Sequence, residues 1–295
     1  VGRLALGYRS IFRDGAFDGR VVIVTGGGSG MGRCTAHELA ALGATVAVVG
    51  RTLETLEQTV AEITEDGGKA RAWTADIRDE ERVRAMIGEI IRDLGRIDGL
   101  VNNAGGQFSA KLKDISVRGW DAVVRNNLTG GFLMMREVYT QWMERHGGAI
   151  VNITADFHTG IPDMGHSSAA RAGMDNLTKT AALEWAHSNV RVNAVAPGWV
   201  ASSGYEKYPE EVAAEIAGRS KFVPMRRHGT EAEVSAAVCF LLSDAAAFTT
   251  GESIAVDGGA PLERGFRPSE EGPREDRSWQ GFHRYRLPKT LKDKS

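Results

Sequence analysis

The chain has 295 residues, which suffices for one large α/β domain with a buried sheet. Its apolar (42%) and charged (25%) fractions are ordinary for a soluble globular protein, and a net charge of −2 argues against a nucleic-acid partner. No apolar run is long enough to cross a membrane, and the first residues lack a signal-peptide pattern. The only two cysteines, Cys34 and Cys239, fall in predicted helices; they fit a reducing, cytoplasmic location and indicate neither a disulfide framework nor a metal site.

Short apolar and β-branched segments alternate with amphipathic ones along most of the chain. Strands are predicted at 20–25, 45–49, 71–75, 99–103, 149–153, 191–196 and 252–256. Helices are predicted at about 31–43, 53–66, 79–94, 117–144, 166–187 and 230–243. Nearly continuous apolar strands separated by helices predict an α/β protein with a doubly wound Rossmann fold, in which about seven parallel strands carry helices on both faces.

The expected organisation has three parts: an N-terminal arm at 1–18, a Rossmann domain at 19–260 and a C-terminal extension at 261–295. Within the domain, residues 199–226 follow the carboxyl end of a strand, where substrate loops usually lie. The extension is polar but carries three aromatic residues, Trp279, Phe282 and Tyr285. Such side chains need a surface to pack on, and one hypothesis is that they cover a neighbouring subunit's pocket.

The strongest local signal is a glycine-rich turn between the first predicted strand and the first predicted helix, with the spacing Gly26-x-x-x-Gly30-x-Gly32. Glycine permits a tight turn and lets backbone N–H groups approach a pyrophosphate, which then lies at the positive end of the helix. Glycine-rich loops also mark ordinary turns, but the position between a strand and a helix favours dinucleotide binding. The cofactor-binding residues expected here are Thr25, Gly26, Gly28, Ser29, Gly30, Met31 and Gly32.

This spacing resembles the fingerprint of the short-chain dehydrogenase/reductase family, and further segments match that family in the same order. They are Asp76, Asn102-Asn103-Ala104-Gly105, Asn127, Pro197-Gly198 and Asp257-Gly258-Gly259. The resemblance covers about 19–260 and implies a nicotinamide dinucleotide cofactor. It further implies that Asn127 kinks the long helix and holds a water. Its remaining cofactor contacts are Asp76 and Ile77 near the adenine, Asn103, Ala104 and Gly105 after the fourth strand, and Pro197 and Gly198 at the nicotinamide.

The end of the second strand bears on which nicotinamide cofactor is bound. NAD enzymes place a carboxylate there to bind the ribose 2′-hydroxyl, whereas this chain has Gly50 followed by Arg51. An acid would repel a 2′-phosphate, and an arginine binds it with a charge-assisted fork. NADP(H) is therefore favoured over NAD(H); the alternative interpretation of Arg51 is a solvated side chain that opens a helix.

The catalytic centre departs from the family pattern, in which a Ser, a Tyr and a Lys act together. The corresponding positions hold Thr154, Ser167 and Arg171. Ser167 is too short to replace a tyrosine, and its hydroxyl is too weak an acid to protonate an alkoxide unaided. Arg171 keeps a cation that can bond the nicotinamide ribose, but it does not deprotonate at neutral pH. Ketone reduction by the family's usual proton relay is therefore disfavoured.

Residues 166–173, together with 105–108 and 238–243, resemble the peroxisomal trans-2-enoyl-CoA reductases and, more distantly, the 2,4-dienoyl-CoA reductases. This resemblance implies an acyl-thioester substrate and hydride addition to the β-carbon of its conjugated double bond. Negative charge then develops on the thioester oxygen, so that hydrogen-bond donors replace a full proton donor there. The donors expected from the sequence are Thr154, Ser167 and Asn127 with its water.

The source of the final proton stays open at this point. The dienoyl reductases use a tyrosine just after the fifth strand, where this chain has Phe157, and the enoyl reductases have one near Asp175. His158 and His166 titrate near neutrality and are candidates, although a loop or capping role explains either as well. Two tyrosines of the 199–226 loop complete the set, Tyr205 and Tyr208.

Two other functions compete with enoyl-thioester reduction. One is an alcohol or 3-hydroxyacyl dehydrogenase (a ketoreductase) with a displaced proton donor, and the other is a degenerate member that binds nucleotide without turnover. The family resemblance also implies a homotetramer formed through the helices at 117–144 and 166–187. An apolar stripe on these helices fits such an interface and equally an ordinary core: Val123, Phe132, Met135, Met174, Leu177 and Leu183.

Overall fold

A computed structural model describes residues 7–207, 215–262 and 277–292. The strands within these ranges are β1 Val21–Thr25, β2 Thr45–Gly50, β3 Lys69–Thr74, β4 Gly99–Asn102, β5 Gly148–Ile153, β6 Val190–Pro197, β7 Val200–Ala201, β8 Gly229–Thr230 and β9 Ser253–Val256. Seven of them form one parallel sheet in the order β3-β2-β1-β4-β5-β6-β9, while β7 and β8 pair separately. Because the strand order reverses between β1 and β4, a ligand crevice is expected at their carboxyl ends.

The helices flank this sheet on both faces. They are α1 Gly30–Ala41, α2 Leu53–Glu65, α3 Glu80–Leu94, α4 Val117–Val124, α5 Gly130–Val138, α6 Glu144–His146, α7 Gly165–Trp185, α8 Glu231–Leu242 and α9 Lys289–Lys292. One buried core joins the sheet to α1, α2 and α8, and a second joins it to α3, α5 and α7. The predicted doubly wound α/β architecture is confirmed, and the predicted strands match the observed ones to within two residues at each end.

The long helix expected at 117–144 is interrupted rather than regular. Two π-helical turns, Arg125–Thr129 and Tyr139–Met143, separate α4, α5 and α6. Each π turn inserts extra backbone into the helical ladder, a feature frequent at functional sites. Asn127 lies in the first turn, at the point where the family resemblance implied a kink.

The apolar stripe proposed for a subunit interface divides into two groups. Val123, Met135 and Met174 are buried in the core of their own subunit, and Leu177 is packed against it. Phe132 and Leu183, by contrast, are 38% and 82% exposed. The first group therefore serves the ordinary core, as the alternative interpretation held, and only the exposed pair is available to a partner.

The described part of the C-terminal extension packs on its own chain. Phe282 is 2% exposed and forms a small core with Cys34 and Ala232 of α1 and α8. Tyr8 of the N-terminal arm packs against the same cluster. The aromatic residues thus find their packing surface within the chain rather than at a neighbour's pocket. No helix in the described ranges is both long and apolar enough to span a membrane.

Candidate active site

The glycine-rich loop forms a cradle of bare backbone at the amino end of α1. Gly26 and Gly30 adopt positive φ angles of 66° and 57°, which L side chains rarely adopt. A Cβ on Gly28 would lie 2.6 Å from the Thr55 hydroxyl, and one on Gly32 would collide with the Gly26 carbonyl. Ser29 precedes the helix without a side-chain capping bond, so the first N–H groups of the helix are not taken up by it. This loop fits the pyrophosphate of a dinucleotide.

The side chain of Thr25 joins the ends of β1 and β4 beneath this cradle. Its hydroxyl donates to the Val101 carbonyl (3.2 Å) and accepts from the backbone N–H groups of Asn103 and Ala104, both at 3.0 Å. The Asn103 amide in turn donates to the Thr25 carbonyl at 2.9 Å. The cofactor-binding residues expected at the ends of these two strands are therefore brought together at the crevice.

The end of β2 carries an exposed cation and no acid. Gly50 has Leu56 against it, and Arg51 is exposed just before α2. Asp76, expected near the adenine, follows β3, and its carboxylate accepts three hydrogen bonds of 2.5–3.1 Å from the Arg78 guanidinium. These hydrogen bonds, helped by the charges of Arg78 and Arg51, lower the pKa of Asp76 to about 2 in spite of its partial burial. Arg51 therefore acts electrostatically on the place where the adenosine ribose is expected, and Ile77 is buried beside it.

Arg171 is a buried cation without an acidic partner. It is 8% exposed, its Nη1 donates to the Ile153 carbonyl at 2.5 Å, and its Nε has no hydrogen-bond partner. A side chain on Gly105 would collide with its guanidinium, so the loop after β4 leaves room for it. Burial lowers the pKa of Arg171 to about 10, which still leaves it charged at neutral pH. An unpartnered buried N–H is costly, and its presence points to a bound acceptor or anion.

The other three catalytic candidates lie near this site but already donate to the protein. The Thr154 hydroxyl donates to the Val195 carbonyl at 3.2 Å, and the Ser167 hydroxyl donates to Gln107 Oε1 at 2.8 Å. The Asn127 amide group donates to the Gly106 carbonyl (2.9 Å) and accepts from the Gly106 N–H (3.0 Å). The expected use of the two hydroxyls as substrate hydrogen-bond donors would require these bonds to open. Among the four candidates, Arg171 is the one with a buried nitrogen, Nε, that makes no hydrogen bond in the described part of the chain.

His166 is poorly placed to act as an acid. Its ring is buried, packs edge-on against Phe108 at 4.5 Å, and its Nδ1 accepts from the Ser167 N–H at 2.8 Å. Burial lowers the pKa of His166, so the imidazole is neutral at physiological pH. His158, the other histidine candidate, is exposed on the loop after β5.

Of the two tyrosine candidates, one lies within the described residues. Tyr205 is buried with its ring against His228, and Tyr208 lies outside the described residues. Phe157 packs against the His158 ring, and Asp175 is paired with Lys179 in α7.

Asp156 is a candidate acid that the sequence interpretation passed over. It lies two residues beyond Thr154, and its Oδ1 is buried without a hydrogen-bond partner. Burial and the nearby charge of Asp257 raise the pKa of Asp156, whereas the charge and the backbone N–H of His158 act in the opposite direction. The signal in the sequence was a carboxylic acid directly after the strand that delivers Thr154. Asp257 itself lies against Gly198, where a Cβ would come within 2.7 Å of its Cα, so this acid adjoins the Pro197-Gly198 segment expected at the nicotinamide.

The parallel sheet, the cradle at α1 and the geometry of the crevice define a dinucleotide-binding α/β enzyme. A sequence model described as enoyl-(acyl carrier protein) reductase matches residues 26–261, most of the chain. The chain belongs to the short-chain dehydrogenase/reductase family and is an oxidoreductase of that family.

Individual relatives carry different activities. A peroxisomal 2,4-dienoyl-CoA reductase of Danio rerio is 34% identical over 258 residues, 86% of each chain. A citronellol catabolism dehydrogenase of Pseudomonas aeruginosa PAO1 is 54% identical, with a TM-score of 0.78 over 86% of this chain and 99% of that one. A structure from Beutenbergia cavernae that holds NADP is 34% identical, with a TM-score of 0.77 over 85% and 100% of the two chains. Reductases and dehydrogenases are thus both among the proteins that this chain resembles.

Proposed function

We propose that the protein is an NADP(H)-dependent reductase of the C=C bond in an α,β-unsaturated, enoyl-CoA-like thioester. The observation that carries the proposal is the buried Arg171 cation, which has no acidic partner among the described residues and whose Nε makes no hydrogen bond there, at a site that lacks the family's tyrosine. A fixed cation stabilises an oxyanion, which forms when a conjugated thioester is reduced at its β-carbon. Reduction of a ketone instead needs a proton delivered to an alkoxide, and Ser167 is unsuited to supply it.

The residues present fit a nicotinamide dinucleotide. The glycine-rich loop would hold the pyrophosphate, Arg51 the 2′-phosphate, and Pro197 and Gly198 the nicotinamide end. When bound, the reduced cofactor supplies a hydride. The NADP-containing relative supports this choice, as does the lack of an acid at Gly50.

In the proposed reaction the protein acts at two atoms of the thioester. Arg171 donates N–H bonds to the carbonyl oxygen as this oxygen gains negative charge. Asp156, whose pKa is raised by burial and by Asp257, gives its proton to the α-carbon when it is in the acid form and is reprotonated from solvent. The α- and β-carbons thus each gain one hydrogen, and the C=C bond becomes a single bond.

Replacing Asp156 by Asn tests this proton source. We expect kcat/KM with an enoyl-CoA to fall by at least tenfold. Loss of a fully enclosed general acid typically costs ~10²–10⁴ in rate, and the loss here should be smaller because solvent can reach the half-buried Asp156 and replace it as the proton source. The wild-type rate should decrease as pH rises through the raised pKa of Asp156, since the acid form is then lost, and Asp156→Asn should not follow this titration. The exposed Asp14→Asn serves as the control; an identical pH profile in Asp156→Asn and wild type would contradict the assignment.

Replacing Ser167 by Tyr tests whether one residue separates this site from ketone reduction. Ser167 is 1% exposed and bonded to Gln107, so the ring has to displace packed neighbours at a cost of about 1–3 kcal/mol. We expect a lower melting temperature and no reduction of acetoacetyl-CoA, measured as NADPH oxidation. The double variant with Arg171→Lys restores the family's Tyr–Lys pair for comparison; strong ketone reduction by Ser167→Tyr alone would show that the pocket is unaltered.

The second candidate function is an alcohol or 3-hydroxyacyl dehydrogenase, favoured by the 54% identity to the citronellol catabolism dehydrogenase. One set of absorbance assays separates the possibilities. NADPH oxidation is followed with crotonyl-CoA, long-chain and branched enoyl-CoAs, a dienoyl-CoA, acetoacetyl-CoA and simple ketones. Reduction of NADP⁺ or NAD⁺ is followed with citronellol. Turnover of the enoyl-CoAs supports our proposal. Turnover of ketones or citronellol alone selects the dehydrogenase, and tight NADPH binding without any turnover selects a nucleotide-binding protein.

We also propose that the protein is a homotetramer, as its family resemblance implies. Phe132 on α5 and Leu183 on α7 are exposed apolar side chains on the two helices expected at the interface. Sedimentation analysis of the wild type beside Leu183→Glu would measure the assembly state.

A further inference from the structure

The C-terminal segment 277–292 lies outside the residues that match the family and is firmly docked on the domain. The Phe282 ring lies between the Arg33 guanidinium, 5.2 Å from its centroid, and the His37 ring at 5.0 Å. The backbone N–H of Trp279 donates to Glu233 Oε1 at 3.2 Å, and the backbone carbonyl of Trp279 accepts from the Thr230 hydroxyl. The segment therefore crosses α1 and the amino end of α8, the two helices that adjoin the glycine-rich loop.

Ion pairs fix the middle of the segment to the carboxyl end of α2. Arg284 lies 2.9 Å from Asp66 and 2.7 Å from Glu65, and His283 lies 3.0 Å from Asp66. The Arg284 and Asp66 side chains are only 24% and 14% exposed, so this pair is shielded more than an ordinary surface pair. A charge reversal at Arg284 is thus a way to loosen the segment without touching the domain core.

The far end of the segment reaches the first turn of the substrate loop. Helix α9 lies against the 3₁₀ turn Ser203–Lys207. A Cβ placed on Gly30 would be 3.8 Å from the Ser203 hydroxyl, so this turn borders the cofactor cradle directly. The segment, the turn and the glycine-rich loop therefore form consecutive layers.

Glu231 connects these layers. It is 5% exposed at the first position of α8, and its Oε1 and the Ser203 hydroxyl would each be 3.8 Å from a Cβ on Gly30. The charged or titratable groups that act on it are Arg33 and Cys34 of α1 and Tyr285 of the segment.

We propose that segment 277–292 is part of the dinucleotide site, where it acts as a clamp that holds the Ser203–Lys207 turn against the glycine-rich loop through Glu231. Loosening the clamp frees the turn and speeds release of the dinucleotide. Glu231 is a positioning residue in this arrangement, since it acts through the turn. The inference depends on dinucleotide binding alone and stands or falls independently of the C=C reductase proposal.

The clamp has a pH dependence of defined sign. Burial raises the pKa of Glu231 to about 7, against the opposing effects of Arg33 and the Ser203 N–H. A bound pyrophosphate adds negative charge nearby and favours the protonated carboxyl group, so binding takes up a proton. NADPH affinity should therefore fall as pH rises from 6 to 8, by up to about tenfold for one unit of pKa coupling.

Titration calorimetry with NADPH and hydrogen exchange at residues 203–207 test the clamp in the full chain. We expect Glu231→Ala and Arg284→Glu to weaken NADPH binding by about tenfold, on the order of one hydrogen bond lost, and to speed exchange in the turn. Glu231→Gln keeps an acceptor for the Ser203 N–H and should bind NADPH as the wild type does at pH 6, without the decline at pH 8. The exposed Glu252→Gln is the matched control.

Two results would overturn the clamp. Unchanged NADPH affinity in both Glu231→Ala and Arg284→Glu would show that the segment does not contribute to the site. Weaker binding with unchanged exchange at 203–207 would show that any effect bypasses the turn. Both readouts are independent of turnover, so an inactive enzyme with intact NADPH binding leaves the test complete.

Discussion

Replacing Arg171 by Met should yield an enzyme that is more stable than the wild type and nearly inactive. Removal of a preorganised donor to an oxyanion typically costs about 10²–10³ in rate, and in our proposal Arg171, which is bonded to the end of β5, is that donor. We therefore expect kcat/KM with crotonyl-CoA to fall by about 10³. KM should change less than kcat, because the interaction strengthens only as charge develops.

The gain in stability has a separate cause. Arg171 is buried without an acid, and its pKa of about 10 means that the folded environment disfavours the charged form. A basic group whose pKa is lower in the folded state than in the unfolded state destabilises the fold at every pH where it is charged. For Arg171 this holds below about pH 10. Methionine removes this penalty but leaves the Ile153 carbonyl without its partner. We expect a net gain on the order of 1 kcal/mol, or about 2–4 °C in melting temperature.

Arg191→Met is the matched control for both effects. Arg191 is also partly buried, but its guanidinium is bonded to the carbonyls of Leu241, Leu242 and Ser243 at 2.7–3.3 Å, away from the crevice. Its replacement should lower stability and leave kcat close to that of the wild type. A destabilised yet active Arg171→Met variant would remove the basis of the reductase proposal.

The sequence was sufficient for the fold because its signals are local and repeated. Strands such as Val21–Thr25 are apolar on both faces, which only a sheet covered by helices on both sides accommodates. The glycine-rich loop could likewise be predicted, since Gly26 and Gly30 occupy backbone conformations that other residues avoid. These features depend on a few neighbouring residues and therefore survive without knowledge of distant contacts.

Several features of the site depend on distant contacts and were not predictable. Thr154 and Ser167 were expected to face the substrate, but their hydroxyls are bonded to Val195 and Gln107, 41 and 60 residues away. The importance of Asp156 rests on Asp257, which only the sheet order brings near it. Glu231 likewise gains its setting from the Ser203 turn. Such pairings arise from tertiary packing and leave no periodic signal in the sequence.

Replacing Arg51 by Asp should reverse the proposed cofactor preference. Arg51 is exposed before α2, and no acid stands at Gly50 to bind a ribose 2′-hydroxyl. The exchange removes charge-assisted hydrogen bonds, worth about 1.5–3 kcal/mol, and adds a carboxylate that repels a 2′-phosphate and accepts from a 2′-hydroxyl. We expect the ratio of NADPH to NADH affinity, measured by fluorescence titration, to fall by about 10²–10³.

Arg71→Asp controls for the change in overall charge. Arg71 is an exposed arginine of β3 that pairs in register with Ala47, three residues before Gly50 and thus about 10 Å from the end of β2. It should leave the ratio unaltered. If Arg51→Asp also leaves it unaltered, Arg51 is a solvated side chain that opens α2, and the cofactor preference resides elsewhere. If Arg51→Asp lowers NADPH affinity and raises NADH affinity, a single side chain at the end of β2 determines the choice, because the rest of the cradle contacts groups that both cofactors share.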